Sequence, residues 1–252
     1  ALGSRINDYL IKPVNPNQIF TTLKRLLDSR HLRGERVSRE YAIQANQNRM
    51  DLLMGLDHDR WAQIYARLAA WDIEIEEYND PGLKQIHNDQ KKEFNREFTR
   101  FVEKQYLAWL QGNGPVLSHA LLDHQLIPIL RREEKVYLFV IDCFRLDHWL
   151  AIEPMLEKLF HVQRSFYYSL LPTATPFCRN SLFSGLLPKE IVKIFPDVYQ
   201  SGGHDESGMN LHEAELFEMY LARKGVRLDR KPYFEKIANT ESAQNFLRRM
   251  GN

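Results

Sequence analysis

The chain has 252 residues, of which 44% are apolar, 12% aromatic and 27% charged. This composition is typical of soluble globular proteins and excludes the disordered and collagen-like classes. The net charge of +1 excludes a global basic field for nucleic acid, although the basic residues between Lys24 and Arg36 allow a local patch. The two cysteines are too few for a disulfide framework or a zinc ribbon, and they fit a reducing compartment.

The sequence contains no signal for a membrane or for secretion. No segment reaches the roughly 20 apolar residues that a membrane helix needs. Residues 1–15 lack the order of charge, apolar core and small residues that marks a signal peptide. We therefore expect a cytoplasmic protein with no membrane partner.

The N-terminal segment begins with a strand-like sequence, DYLIKP at 8–13. A helix is predicted over residues 17–29, because Ile19, Leu23 and Leu26 have helical spacing. An isolated strand is not stable. Residues 1–30 are therefore expected to be the end of an α/β domain whose earlier part is absent from the chain.

Residues 31–115 are predicted to form a helical connector. Ser38 and Asp57 are the expected N-caps of two helices, and the DPG sequence at 80–82 precedes a third. The third helix carries an apolar stripe, which predicts three helices packed together before GNGP at 112–115 ends the block. The stripe consists of Phe94, Phe98, Phe101, Val102, Tyr106 and Trp109.

Residues 116–252 alternate between helical and strand-like patterns. The helical segment VLSHALLDHQLIPIL precedes VYLFVID, an apolar run of the kind found in strands buried on both faces. A helix in DHWLAIEPMLEKLF, a second strand in VQRSFYYSLL and a helix near FCRNSLFSG follow. This order predicts a parallel sheet with a right-handed crossover and hence an α/β fold.

Polar groups come where the two predicted strands end. Asp142 closes VYLFVID, while Thr173 and Thr175 follow the second strand. Reactive groups of parallel α/β sheets collect at the carboxyl ends of strands, so these groups are expected at one edge of the sheet. A carboxylate after six apolar residues needs a metal, a cation such as Arg145 or a set of N–H donors. Asp142 or Asp147 also suits the role of a helix cap.

The two threonines leave two interpretations open. Threonine is a weak nucleophile that becomes useful when a metal or a base activates it. Beside a carboxylate-bound divalent ion, and best in a two-metal site, a threonine oxygen suits the hydrolysis of a phosphate ester. The PTATP sequence equally fits a rigid turn whose hydroxyls bond to the backbone.

The two segments together resemble a known family. VYLFVIDCFRLDHW followed by SLLPTATPFCRNSLFSGLLP is similar to the start of PglZ domains of the alkaline phosphatase superfamily. The second segment also resembles the nucleophile segment of nucleotide phosphodiesterases in that superfamily. The resemblance implies that Asp142 binds metal and that Thr175, rather than Thr173, is both nucleophile and metal ligand. Arg145, Asp147, Arg179 and Asn180 are further candidates for supporting residues.

The N-terminal segment resembles another family. DYLIKP, preceded by ALGS and followed by a helix, is similar to the last strand of response-regulator receiver domains. Lys12 matches the lysine that contacts the phosphorylated aspartate there, which implies a role in a phosphorylation switch. A receiver end (1–30), a three-helix connector (31–115) and the N-terminal part of a PglZ domain (116–252) resemble the PorX-type response regulators of type IX secretion.

This resemblance implies a function and partners. Such regulators bind zinc, with two ions expected in the complete domain, and act as phosphodiesterases on cyclic and linear oligonucleotides. They form homodimers on phosphorylation and work with a sensor histidine kinase and an alternative sigma factor. The alternative is a non-catalytic, phosphorylation-gated binding module for a sigma factor or another signalling protein.

The chain departs from these families at both ends. The phosphoacceptor aspartate would precede residue 1, and the later metal ligands of the superfamily come well after the nucleophile segment, so we expect an incomplete and inactive piece. HDESGMNLHEAEL at 204–216 also fits a polar loop and helix start, with Asn210 as N-cap and Glu213 three residues on. The remaining metal candidates in that segment are His204, Asp205, Glu206, His212 and Glu213.

Overall fold

The computed structural model describes residues 12, 14–132, 135–196, 198–199, 210–228 and 232–250. These residues are mostly helical and divide into two compact units. The first unit comprises the described residues within 12–106 and 144–163, and the second comprises those within 107–143 and 164–250.

The described residues contain ten α-helices and one 3-10 turn. In chain order they are α1 (Pro16–Met54), α2 (His58–Tyr78), α3 (Pro81–Leu110), a 3-10 turn (Ser118–Ala120), α4 (Leu121–Gln125), α5 (Ile127–Leu130), α6 (Leu146–Leu156), α7 (Thr175–Ser184), α8 (Pro188–Ile194), α9 (Glu213–Arg223) and α10 (Thr240–Met250). None of these helices is both long enough and apolar enough to cross a membrane.

The first helix is longer than the sequence predicts. Asn15 caps it by accepting a hydrogen bond from the backbone N–H of Asn17 at 2.9 Å, and Gln18 completes a capping box. The helix then continues through Ser38, so the predicted N-cap at Ser38 is wrong. No proline interrupts the segment, and its one glycine, Gly34, lies where any Cβ would overlap the ring of Tyr78.

Local signals at the next two helices are confirmed. Asp57 caps α2 and accepts a hydrogen bond from the backbone N–H of Arg60 at 2.9 Å. Asp80 accepts from Gly82 N–H at 2.8 Å just as α3 begins, and α3 ends at Leu110 before the GNGP sequence. Short polar side chains therefore fix where these helices start.

The first unit has an aromatic and aliphatic core between α1, α2 and α3. Trp61, Ile64, Leu68 and Phe94 form one buried cluster, with Phe98 and other partly buried side chains packed against it. A second buried cluster contains Val37, Tyr41, Ile75 and Leu83. The predicted packing of three helices and the inward position of the Phe94 stripe are confirmed.

The second unit is built around short helices. The helical character of residues 116–130 and of FCRNSLFSG is confirmed by α4, α5 and α7. Its main core contains Leu122, Leu126, Ile127, Leu182, Tyr220 and Leu221. Gly185 ends α7 with a φ of 63°, and a Cβ there would lie 2.7 Å from the ring of Tyr220, so glycine serves both the turn and the packing.

The predicted parallel sheet is not formed by the described residues. Residues 136–141 have no regular secondary structure, and exposed side chains in this segment include Phe139 and Ile141. In 162–171 the pairing is a single parallel bridge between Tyr168 and Leu117. A strand takes its hydrogen bonds from a neighbour, so an apolar run does not become a strand by itself. The expected α/β architecture is therefore not confirmed, and the described fold is mostly helical.

Candidate active site

Thr175 occupies the first position of α7. Ala174, the residue before it, has the extended backbone of an N-cap, and Pro176 follows within the first turn. Proline is tolerated there because the first N–H groups of a helix have no partner within the helix. The side chain of Thr175 is half-buried, whereas that of Thr173 is exposed. Thr175 therefore lies at the positive end of a ten-residue helix.

The segment that leads into α7 is held by hydrogen bonds. Tyr168 N–H donates to the carbonyl of Val116 at 2.8 Å, and Leu170 N–H donates to the hydroxyl of Ser118 at 3.1 Å. From α7 itself, Cys178 Sγ donates to the carbonyl of Leu170 at 3.4 Å. These contacts fix the path of the chain on both sides of the threonines.

Asp142 meets both a cation and an N–H donor. Its Oδ1 accepts from Cys143 N–H at 3.0 Å, and its Oδ2 lies 3.4 Å from Arg179 Nη1. Cys143 has a φ of 55°, a left-handed conformation that is costly for a residue with a side chain and that clusters at functional sites. The side chain of Asp142 is 43% exposed, so its expected position at the end of a buried strand is wrong.

The cation at Asp142 is Arg179, whereas Arg145 forms a two-pronged ion pair with Asp147. That pairing raises the pKa of Arg145, and hydrogen bonding from Arg145 lowers the pKa of Asp147. Asp142 therefore takes its cation from a helix far along the chain, and the alternative in which Arg145 supplies that cation is not the one found.

Arg179 links Asp142 to a buried carboxylate. Its Nη2 donates to Oε2 of Glu213 at 2.7 Å, and the side chain of Glu213 is completely buried. Lys236 Nζ lies 3.1 Å from the same oxygen and also donates to the carbonyl of Asn210. We call Asp142, Arg179, Glu213 and Lys236 the Arg179 cluster.

Helical spacing relates this cluster to the threonine. Thr175 and Arg179 are four residues apart, so they lie on the same face of α7, one turn from each other. Asp142, through its contact with Arg179, is held at the face of α7 that begins with Thr175. The structure thus brings the two ends of the predicted strands to one helix, while the catalytic roles of Thr175 and Asp142 stay predictions.

The other candidate residues predicted from the sequence lie outside the Arg179 cluster. Asn180 is completely buried in α7, and Lys12 is exposed next to residues that lie outside the described ones. His212 Nδ1 lies 2.9 Å from Glu215, and its ring stacks on Phe195. The metal candidates His204, Asp205 and Glu206 lie outside the described residues.

The predicted capping box at Asn210 is wrong. Helix α9 begins only at Glu213, and His212 occupies the N-cap position without a side-chain hydrogen bond. Asn210 is buried, and its carbonyl is engaged by Lys236. Tertiary contacts of Asn210 and Glu213 therefore replace the local cap that the spacing indicated.

Family comparisons identify both parts of the chain. Residues 31–110 match the PorX response regulator linker domain, and residues 121–240 match the BREX system PglZ alkaline phosphatase-like domain. The chain belongs to the PorX-type regulators with a PglZ domain. No match is found among curated proteins. The resemblance drawn from the Asp142 and Thr175 segments is thereby confirmed at the level of the family, whereas the receiver resemblance of residues 1–30 lies outside both matches and stays a prediction.

The PglZ match contains every residue of the Arg179 cluster together with Thr175. It places this part of a PorX-type regulator with the alkaline phosphatase-like hydrolases. The PorX linker match contains α2 and most of α1, together with α3. The candidate site of this PorX-type regulator therefore belongs to the hydrolase-like part and not to the linker.

Asp142 and Thr175 would supply only part of the zinc site that the family resemblance implies. Asp142 and Thr175 offer a carboxylate and a hydroxyl oxygen, and carboxylate oxygen is a common zinc donor. The 3.4 Å contact to Arg179 is long for a charge-assisted bond, so it holds Oδ2 only loosely. No group of three or more His, Cys, Asp or Glu side chains suited to a metal occurs among the described residues.

The sequence patterns do not indicate the roles of two members of the cluster. They predict Glu213 only as a metal ligand or a part of a helix cap, and they indicate no role for Lys236. Glu213 is 34 positions from Arg179, and no local pattern reports a contact over that separation. The one signal in the sequence was Arg179, the single charged residue of α7.

Proposed function

We propose that the full-length protein is a response regulator whose PglZ domain is a zinc-dependent phosphodiesterase acting on oligonucleotides. The observation that carries the proposal is the link from Asp142 through Arg179 to the helix face that begins with Thr175. The match of this region to an alkaline phosphatase-like domain supports the choice of reaction.

In this proposal Thr175 is the nucleophile. Its hydroxyl oxygen bonds to phosphorus as the bond from phosphorus to the leaving nucleoside oxygen breaks, and the hydroxyl proton ends on that departing oxygen. Water then cleaves the bond between phosphorus and the threonine oxygen, which releases the nucleotide with a terminal phosphate and restores the hydroxyl. The backbone N–H groups at the start of α7 and the positive end of the helix favour the negative charge of the phosphoryl group. Arg179 supplies an N–H donor on the same face of the helix.

Asp142 and Thr175 would hold zinc together with ligands outside the described residues. The bound ion supplies a Lewis acid that polarises the phosphoryl oxygen and activates the hydroxyl. With Asp142 and Thr175 alone the described residues cannot hold two metals, so we expect them to be inactive by themselves.

Regulation is proposed to follow the PorX relationship. Phosphorylation of the receiver by a sensor histidine kinase, sensed through Lys12, would promote a homodimer in the cytoplasm and control type IX secretion with an alternative sigma factor. The match to a response-regulator linker domain supports this arrangement.

The test uses the full-length protein, Thr175→Ala and the matched control Thr173→Ala. We expect zinc in the parent protein, and loss of Thr175 should lower hydrolysis of a phosphodiester by more than about a thousandfold. Thr173→Ala should retain turnover because its hydroxyl is exposed one residue before the N-cap. Equal turnover by the parent and Thr175→Ala would reject the nucleophile assignment.

The second candidate function is a non-catalytic, phosphorylation-gated binding module. Exposed apolar side chains near the start of α1, at Ile19, Phe20 and Leu23, favour it because they offer a contact surface. Sigma-factor binding that survives loss of Asp142 and Thr175, in a full-length protein without detectable hydrolysis, would support this alternative over the enzyme.

A further inference from the structure

We infer that Glu213 is a positioning residue, which sets the orientation of Arg179 beside Thr175. The inference rests on the proposed function, because it concerns the same site. Glu213 is the first residue of α9 and is completely buried. Its Oε2 accepts from Arg179 at 2.7 Å, so a helix distant in sequence holds the guanidinium.

The burial of Glu213 is difficult to explain by packing alone. An ionised carboxylate without water is costly unless cations and hydrogen bonds compensate it. Arg179 and Lys236 both reach Oε2, yet Oε1 is buried without a hydrogen-bond partner among the described residues. An apolar side chain of similar volume often serves a fold equally well in such a position. The carboxylate is therefore best explained by its effect on Arg179.

Because of the shape of the arginine side chain, the contact with Glu213 fixes the orientation of the whole guanidinium group of Arg179. The guanidinium is a planar fork, so fixing one nitrogen also fixes the direction of the others. Glu213 holds Nη2, which leaves Nη1 toward Asp142 at 3.4 Å. This long contact leaves Nη1 weakly engaged, on the helix face that begins with Thr175. A phosphoryl oxygen would accept a charge-assisted hydrogen bond from it.

Lys236 has a different part in the same cluster. It contacts Glu213 and the carbonyl of Asn210, and its ammonium ties residues 232–238 to the start of α9. Lys236→Met would remove support from Glu213 without removing the carboxylate that orients Arg179. This variant therefore separates loss of local stability from loss of orientation.

The experiment measures kcat and KM of the full-length protein on bis(p-nitrophenyl) phosphate. Glu213→Gln keeps the shape of the side chain and should lower kcat/KM roughly 10- to 100-fold, as loss of a supporting partner does elsewhere. Arg179→Lys keeps one charge near Glu213 but lacks the fork, and it should cause a similar loss. The double variant should be little worse than Arg179→Lys, because the two residues act as a unit.

Two controls distinguish positioning from a merely structural role. Glu215→Gln changes an exposed carboxylate on the same helix and should leave turnover unchanged. Lys236→Met should lower the amide protection of α9 at least as much as Glu213→Gln does, with a smaller loss of kcat. If activity instead follows amide protection in all variants, or if the losses from Glu213→Gln and Arg179→Lys multiply, the inference is overturned.

A second measurement distinguishes failure of the proposed function from failure of the inference about Glu213. If the parent protein hydrolyses no phosphodiester, binding of inorganic phosphate by calorimetry replaces turnover. The inference then expects Glu213→Gln and Arg179→Lys to weaken phosphate binding, with no further weakening in the double variant. Unchanged phosphate binding by Glu213→Gln, or no phosphate binding by the parent, would overturn it.

Discussion

The two units bury titratable side chains in different ways. In the first unit, His87 lies between three helices, with Nδ1 3.3 Å from Tyr41 Oη and Nε2 3.1 Å from Asp72. Each neighbour has a second partner, since Tyr41 donates to Gln90 at 3.2 Å and Lys91 donates to Asp72 at 2.6 Å. Burial raises the pKa of Tyr41 to about 12, so this hydroxyl stays protonated as a donor.

The Arg179 cluster of the second unit pairs its buried carboxylate less completely among the described residues. Glu213 is as deeply buried as His87, but one of its oxygens has no hydrogen-bond partner among the described residues. Its link to the exposed Asp142 passes through Arg179 alone. The difference indicates that the His87 network stabilises the packing of the helices. The Arg179 cluster instead fixes the orientation of Arg179 beside the exposed Asp142.

The largest loss of local stability is expected when Arg179 is replaced. Arg179→Met leaves the buried carboxylate of Glu213 with Lys236 alone and should cost about 3 kcal/mol in local stability. Adding Glu213→Gln should recover part of that loss, because the uncompensated buried charge is removed. Hydrogen exchange of the α7 and α9 amides measures both variants, and Arg227→Met at an exposed site is the control. Strictly additive losses would show that the two side chains do not share this interaction.

A smaller effect is expected at His87. His87→Leu removes both ring contacts, but Tyr41 retains Gln90 and Asp72 retains Lys91. We expect a loss of about 1 kcal/mol in the hydrogen-exchange stability of α2 and α3, because no charged group is left alone. A loss as large as that of Arg179→Met would contradict the redundancy of the His87 network.

The same network should respond to pH in a defined direction. Burial lowers the pKa of His87 below its ordinary value of 6.5, against an opposing effect of Asp72. The contribution of neutral His87 to stability is therefore present above pH 6.5 and is lost as the pH falls through the folded-state pKa, because only the unfolded chain takes up the proton readily. Protonation leaves the ring in place, so we expect a smaller change than in His87→Leu.

The measurement compares amide protection of α2 and α3 at pH 7.5 and 5.5, after correction for intrinsic exchange. The parent protein should lose more protection at the lower pH than His87→Leu does. Burial also lowers the pKa of His119, which lies in the second unit. Measuring amide protection in α2 and α3 separates the effect of His87 from that of His119. An equal loss in the parent and the variant would assign the pH dependence to other groups.

The sequence predicted those features that depend on near neighbours. The N-cap at Asp57 and the inward face of Phe94 follow from spacing within a few residues, and both are confirmed. The predicted cap at Ser38 failed because a continuous helix satisfies its backbone groups without it. Local signals thus identify helices better than they identify the boundaries between them.

Features that depend on distant partners were missed or are not confirmed. The apolar run at 136–141 satisfies the pattern of a buried strand, yet its pairing depends on residues that local sequence does not specify. The candidate residues Asp142, Thr175 and Arg179 were found from motifs, but the partner of Arg179 is 34 positions away. A motif identifies charged residues, but only the fold shows which of them form ion pairs.

The smallest effect is expected at the ion pair of Arg145 and Asp147. Arg145 is 66% exposed, and Asp147, which is 17% exposed, lies two positions away, so water and salt reach the cation and screen the attraction. Arg145→Ala should change amide exchange in α6 by less than about threefold, and 1 M salt should remove the difference. A large loss that persists in salt would show that Arg145 holds a third group. The exposed Arg145 would then resemble Arg179, a single cation that contacts more than one carboxylate.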